Sequence, residues 1–129
     1  MIVALPASIT AIAYRAENGE LAWRRDDVPA ALAAIAASGQ AVLGGEVWVT
    51  LGRGDWTGLV PFRNGGPDGV WAWDTKPRSA VETWQEFCDR AARDSERIVA
   101  GLPVEDEADP SVAAALHFNF AFISEPGDL

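Results

Sequence analysis

A chain of 129 residues, 49% hydrophobic and 22% charged, has the size of one ordinary domain and enough apolar residues for a core of its own. A formal net charge of -9 and a pI near 4.4 argue against nucleic acid or an anionic membrane as the main partner and leave room for a basic protein. Cys88 is the only cysteine, which rules out an internal disulfide; with no apolar stretch of membrane-span length and no basic region ahead of the apolar start, a cytoplasmic protein is expected.

Taken in chain order, residues 8–15, SITAIAYR, fit a strand and a short helix equally well. Asn18-Gly19 is a turn signal, after which Leu21, Ala22 and Trp23 begin a returning strand. RDDVPAALAAIAASG predicts a helix: Asp26 or Asp27 caps its free amides, Pro29 lies in the first turn, and Leu32, Ile35 and Ala36 share a face. Gly39 stands where a left-handed stop belongs. Residues 41–51, AVLGGEVWVTL, predict a strand. Beyond its two glycines Val47, Val49 and Leu51 face one way, and Glu46, Trp48 and Thr50 the other. GRGDWTG is a turn, LVPF a short strand that Pro61 assigns to an edge, and RNGGPDG a loop. VWAWD is a strand with Trp71 and Trp73 on one face.

A long helix is predicted over about 80–100, opened by an S-x-x-E capping box of Ser79 and Glu82. Its apolar stripe runs through Val81, Trp84, Phe87 or Cys88, Ala91, Ser95, Ile98 and Leu102, and Gly101 and Pro103 end it. Residues 102–129 hold six acids and no base, four of them (Glu105, Asp106, Glu107 and Asp109) in an acidic loop at about 103–110. ALHFNFAFI closes the chain as a strand, with Leu116, Phe118, Phe120 and Phe122 on one side and His117 and Asn119 on the other. No regular βαβ alternation and no domain boundary appear. The expected fold is a single α+β domain over 1–129, a mostly antiparallel sheet with two main helices packed on one face.

Chemistry-bearing motifs are scarce. Gly44-Gly45 has neither the lysine of a P-loop nor a following helix to receive a phosphate, so it reads as a bulge or a close approach of backbone. His117, the only histidine, has no G-x-S-x-G partner and no metal-ligand spacing; it reads as a half-buried strand histidine with a hydrogen-bond partner. Cys88 sits in the apolar stripe and reads as core. Glu46 and Asp74 lie on strands beside tryptophans and are the one pair suited to acid–base work, as a small hydrolase or isomerase would use. Outward tryptophans and the acidic loop would instead suit a protein-binding surface. Its candidate residues are Glu46, Trp48, Trp73, Glu105, Asp106, Glu107 and Asp109. No cofactor and no metal are expected, and monomer and homodimer both stay open.

The sequence of these pieces is AVLGGEVW, then GVWAWDTKP, then the helix WQEFCDRAARDSERIVAGL and a closing aromatic strand. Over roughly residues 20–123 it resembles the fortieth family of bacterial polymorphic-toxin immunity proteins, Immunity protein 40. The matching positions are Leu43, Gly44, Gly45, Glu46, Val47 and Trp48, then Trp71, Asp74 and Trp84, then Ser95 and Ile98. Glu46 stands where the family more often has Asp, and the segment GRGDWTGLVPFRNGGPDG is longer than usual. The resemblance implies a protein of the cytoplasm that binds and neutralises a cognate toxin domain and catalyses nothing; it does not name the toxin.

Overall fold

The computed structural model describes residues 5–49, 72–103 and 116–126. Trp71, the LVPF strand, the glycine-rich turns around it and the acidic quartet Glu105, Asp106, Glu107 and Asp109 lie outside the described residues.

SITAIAYR divides between the two readings it allowed. Helix α1 spans Ala7–Thr10 and strand β1 Tyr14–Arg15. Gly19, with φ of 90°, turns the chain into β2, Leu21–Trp23. A short 3-10 turn, Arg25–Asp27, feeds α2, Val28–Ala37. The cap expected of Asp26 or Asp27 is not made: Asp27 is the N-cap residue but its backbone is already helical and its side chain accepts no capping hydrogen bond. Gly39, with φ of 79°, stops α2 and starts β3, Gln40–Val49. Strand β4 is Ala72–Asp74, helix α3 Trp84–Gly101 and strand β5 Leu116–Ser124.

The five strands form one antiparallel sheet in the order β1-β2-β5-β3-β4, so the last strand of the chain lies at its centre. Helices α2 and α3 pack on each other and on one face, here the inner face. Trp23, Leu32, Ile35, Val47, Phe87 and Phe118 are fully or almost fully buried between the layers. The outer face carries a smaller cluster of Ala16, Ala22 and Trp48, packed with Tyr14.

Helix α3 begins four residues later than the sequence suggests. Its capping box is Thr83 with Glu86: the Thr83 hydroxyl accepts from Glu86 N at 3.1 Å, and Glu86 Oε1 accepts from Thr83 N at 2.8 Å. Ser79 and Glu82 have the same spacing but close a separate turn ahead of the helix, and Val81 is exposed there rather than in the stripe. The stripe itself is Phe87, Cys88, Ala91, Ala92, Ser95 and Val99. At the other end Gly101 is the last helical residue, and Arg25 takes the carbonyls of Val99 and Leu102 at 2.6 and 2.8 Å. That cation at the negative helix end also lies over the Phe118 ring, 5.0 Å from its centroid.

Arg90 fixes the connection from β4 to α3. Its guanidinium donates to the carbonyls of Lys76 and Pro77 at 3.0 and 3.1 Å and to both carboxylate oxygens of Glu82 at 2.8 and 2.9 Å. The Arg90 hydrogen bond first, and the Ser79 backbone N–H second, hold the Glu82 carboxyl down to about 2. Among the described residues no helix is long and apolar enough to cross a membrane.

Candidate functional site

The double glycine is a bulge and a close approach together. Between Val42 and Gly44 the β3–β5 register slips by one, leaving Leu43 as the extra residue. Thr75 partners the bulge, donating its backbone N–H to the Leu43 carbonyl at 2.9 Å and its hydroxyl to the Val42 carbonyl at 2.7 Å. Neither glycine has positive φ. Their need is space: a Cβ on Gly45 would come within 2.5 Å of the Asn119 carbonyl oxygen and 2.6 Å of Trp73 Cη2, and one on Gly44 would collide with the Trp73 carbonyl. The missing side chain of Gly45 lets the Trp73 indole lie across β3 on the inner face, where it meets Phe120 edge-on at 5.9 Å.

The same register builds the outer face. Gly44 pairs with Asp74 and Glu46 with Ala72, so the two carboxylates, two residues apart, stand on one side of the sheet. They border a cavity of about 420 Å³ whose floor is Gly44, Gly45 and Ala121. Glu20, from the turn before β2, adds a third carboxylate, and Leu43 and Asn119 also line it. Asn119 is buried and donates Nδ2 to the Leu21 carbonyl at 2.8 Å, tying β5 to β2. Glu46 accepts from the Trp48 indole N–H at 3.0 Å, and Glu20 from Asn18 Nδ2 at 2.6 Å. Among the described residues no basic side chain lines the cavity, and no group of three acids, histidines or cysteines is close enough to hold a metal ion. Chemically this is a polar concavity with excess negative charge, suited to a cationic side chain.

Of the positions carried by the family resemblance, Leu43, Gly44, Gly45, Glu46 and Asp74 come together here. Val47 and Ser95 are buried, the Ser95 hydroxyl with no hydrogen-bond partner among the described residues. Trp84 is half-buried and donates to the Gly39 carbonyl at 2.7 Å. Ile98 borders a separate cavity of about 230 Å³ that also touches Asp74.

One expected surface residue is corrected. Trp48 shares a face with Glu46, as alternation requires, but it is 0% exposed: the Tyr14 ring packs on it edge-on at 6.5 Å and Ala22 and Ala16 close round it. Trp48 therefore adds nothing to a surface at Glu46. Trp73 pairs with Gly45 and packs against the main core, but it is only half-buried and also borders the cavity that Glu46 and Asp74 line. His117 is buried at 8% exposure with its ring against Tyr14, and Cys88 is core, its thiol pushed up by burial. Glu20 and Asn119 were not singled out from the sequence as site residues. Only the Asn18-Gly19 turn and the alternation of β5 hinted at their positions, and neither reveals that β2 and β5 are neighbours.

Comparison of the chain with protein-family models, with curated proteins and with solved structures gives no match.

Proposed function

We propose that this chain is an immunity protein that binds and neutralises a partner toxin of a polymorphic-toxin system in the cytoplasm, without catalysis of its own. The carrying observation is that the resemblance positions Leu43 to Glu46 and Asp74 converge on one concavity, rimmed by three carboxylates and, among the described residues, by no base. A toxin domain that acts on nucleic acid is basic for that reason, and an acidic inhibitor gains fast association and correct orientation from the opposite charge. The bulge at Leu43 and the glycine floor supply shape, and Glu20, Glu46 and Asp74 supply sign.

The test is co-expression with the toxin domain encoded beside this gene. The wild-type chain is expected to restore growth, and the purified pair to form a complex. No rescue and no complex would refute the reading.

A second reading has one observation in its favour: Glu46 and Asp74 share a concavity, as a carboxylate-dependent hydrolase or isomerase would require. It competes with the use of Glu46 as acceptor for the Trp48 indole. Turnover of any substrate that disappears in both Glu46→Gln and Asp74→Asn would favour it over the binder.

A further inference from the structure

β5 is longer than β2, its neighbour on one side. β2 pairs with it only through Ala22 and Trp23, opposite Asn119 and Phe118. Before Leu21 the chain turns off at Gly19 toward β1. β5 continues to Ser124, paired on its other side with β3 as far as Gln40. Among the described residues no strand pairs with β5 on the β2 side beyond Asn119. A cavity of about 400 Å³ lies along this edge, bordered by Gly19, Leu21, Phe122 and Ile123. It shares Glu20, Leu43, Asn119 and Ala121 with the acidic concavity, so the two form one groove. Leu43 and Ile123, each 40% exposed, give that groove apolar contacts as well.

We propose that this groove receives an extended, basic segment of the partner protein, which pairs backbone to backbone with β5 at 120–124 and sets a lysine or arginine among Glu20, Glu46 and Asp74. The inference rests on the reading of the chain as a binder of a basic protein. A strand edge offers a row of N–H and C=O groups that an extended chain satisfies residue by residue. Five residues at about 3.4 Å each give roughly 17 Å of edge, enough for four or five residues of a guest strand. Charge chooses among guests. A second copy of this chain, with net charge -9, would bring like-charged rims together, whereas a basic segment neutralises them.

The experiment uses the full chain and a fluorescein-labelled peptide of alternating arginine and valine, followed by anisotropy at low salt. Binding is expected, weakened at least tenfold when alternate peptide amides are N-methylated, and absent when glutamate replaces arginine. Ala121→Lys with Ile123→Lys, two exposed positions, is expected to weaken it at least tenfold while the circular dichroism stays unchanged. No binding of the unmodified peptide up to millimolar concentration overturns the proposal. So does equal binding of the N-methylated peptide, because the attraction would then be charge alone. The two readings fail separately. If the folded double-lysine variant still protects cells from the toxin as wild type does, the groove is wrong and the immunity reading stands. If the chain binds the peptide in this manner and protects against no toxin, the groove stands and the immunity reading fails.

Discussion

Gly45→Ala tests why the sheet contains two adjacent glycines. The new methyl would sit 2.5 Å from the Asn119 carbonyl oxygen and 2.6 Å from Trp73 Cη2, both inside van der Waals contact. The first obstacle is backbone of the central strand and does not yield cheaply. The second is an indole already packed on Phe120. Forced overpacking of this kind costs typically 1–3 kcal/mol, and the backbone clash puts Gly45→Ala at the upper end, about 3 kcal/mol. For a domain of this size about 4 °C is lost per kcal/mol, so the melting temperature should fall on the order of 10 °C. Urea denaturation gives the free energy and calorimetry the midpoint. Trp73→Leu removes the ring atoms but leaves the Asn119 carbonyl, so in that background the cost of the alanine should shrink by about 1 kcal/mol rather than vanish. A loss below about 0.5 kcal/mol in the wild-type background would show that the glycines are not there to make room.

Three further outcomes follow from the helix and its strap. Thr83→Ala should cost about 1 kcal/mol in a urea titration, because it removes the capping hydrogen bond to Glu86 N, while Ser79→Ala costs distinctly less; equal losses would move the helix start back to Ser79. Glu82 has its folded pKa lowered from 4.5 to about 2, so its pairing with Arg90 stabilises the fold above the unfolded value and is lost as pH falls from 4.5 toward 2. Arg90→Met should flatten stability against pH in that window, and an unchanged acid limb would refute the linkage. Cys88 is 0% exposed with its thiol raised by burial, so an aromatic disulfide reagent at pH 8 should label it only as fast as the protein opens globally. Rapid stoichiometric labelling of the native protein would contradict its place in the core.

Local rules carried far in this sequence wherever neighbouring residues decide the outcome. Gly19 and Gly39 adopt the left-handed turns that a glycine after Asn18 and a glycine after a helix imply. The alternation of Val47 against Glu46 and Trp48 is real. Alternation assigns a face, however, and exposure depends on what covers that face. Trp48 faces away from the helices yet is sealed by Tyr14 from β1, two strands over in the sheet order from β3's own neighbour β5. Trp73 packs on the core as well as bordering the cavity because the ladder sets it opposite Gly45, a pairing that nothing local records. The Ser79/Glu82 pattern misled because Thr83/Glu86 repeats it four residues on, and a propensity argument cannot rank two identical caps. Glu20 joins Glu46 and Asp74 only through the placement of β5 between β2 and β3, a long-range pairing that no periodicity announces.

Binding and folding should therefore separate by residue. Glu46→Gln keeps a carbonyl oxygen for the Trp48 indole N–H, and Asp74 is exposed, so the pair Glu46→Gln with Asp74→Asn should change stability by no more than about 0.5 kcal/mol. For a toxin cation about 7 Å away in water-like surroundings, each lost charge removes about 0.6 kcal/mol of attraction. Two such losses lower the association rate roughly five- to tenfold at low salt and flatten its salt dependence. Thr83→Ala does the reverse: it weakens the fold at a residue that does not line the concavity and leaves the association rate of the folded protein as it was. Stopped-flow mixing of each variant with the toxin domain reads the two effects apart. If the double carboxylate variant associates at the wild-type rate at low salt, the toxin does not approach over Gly44 and Gly45, and the acidic concavity is a feature of the sheet alone.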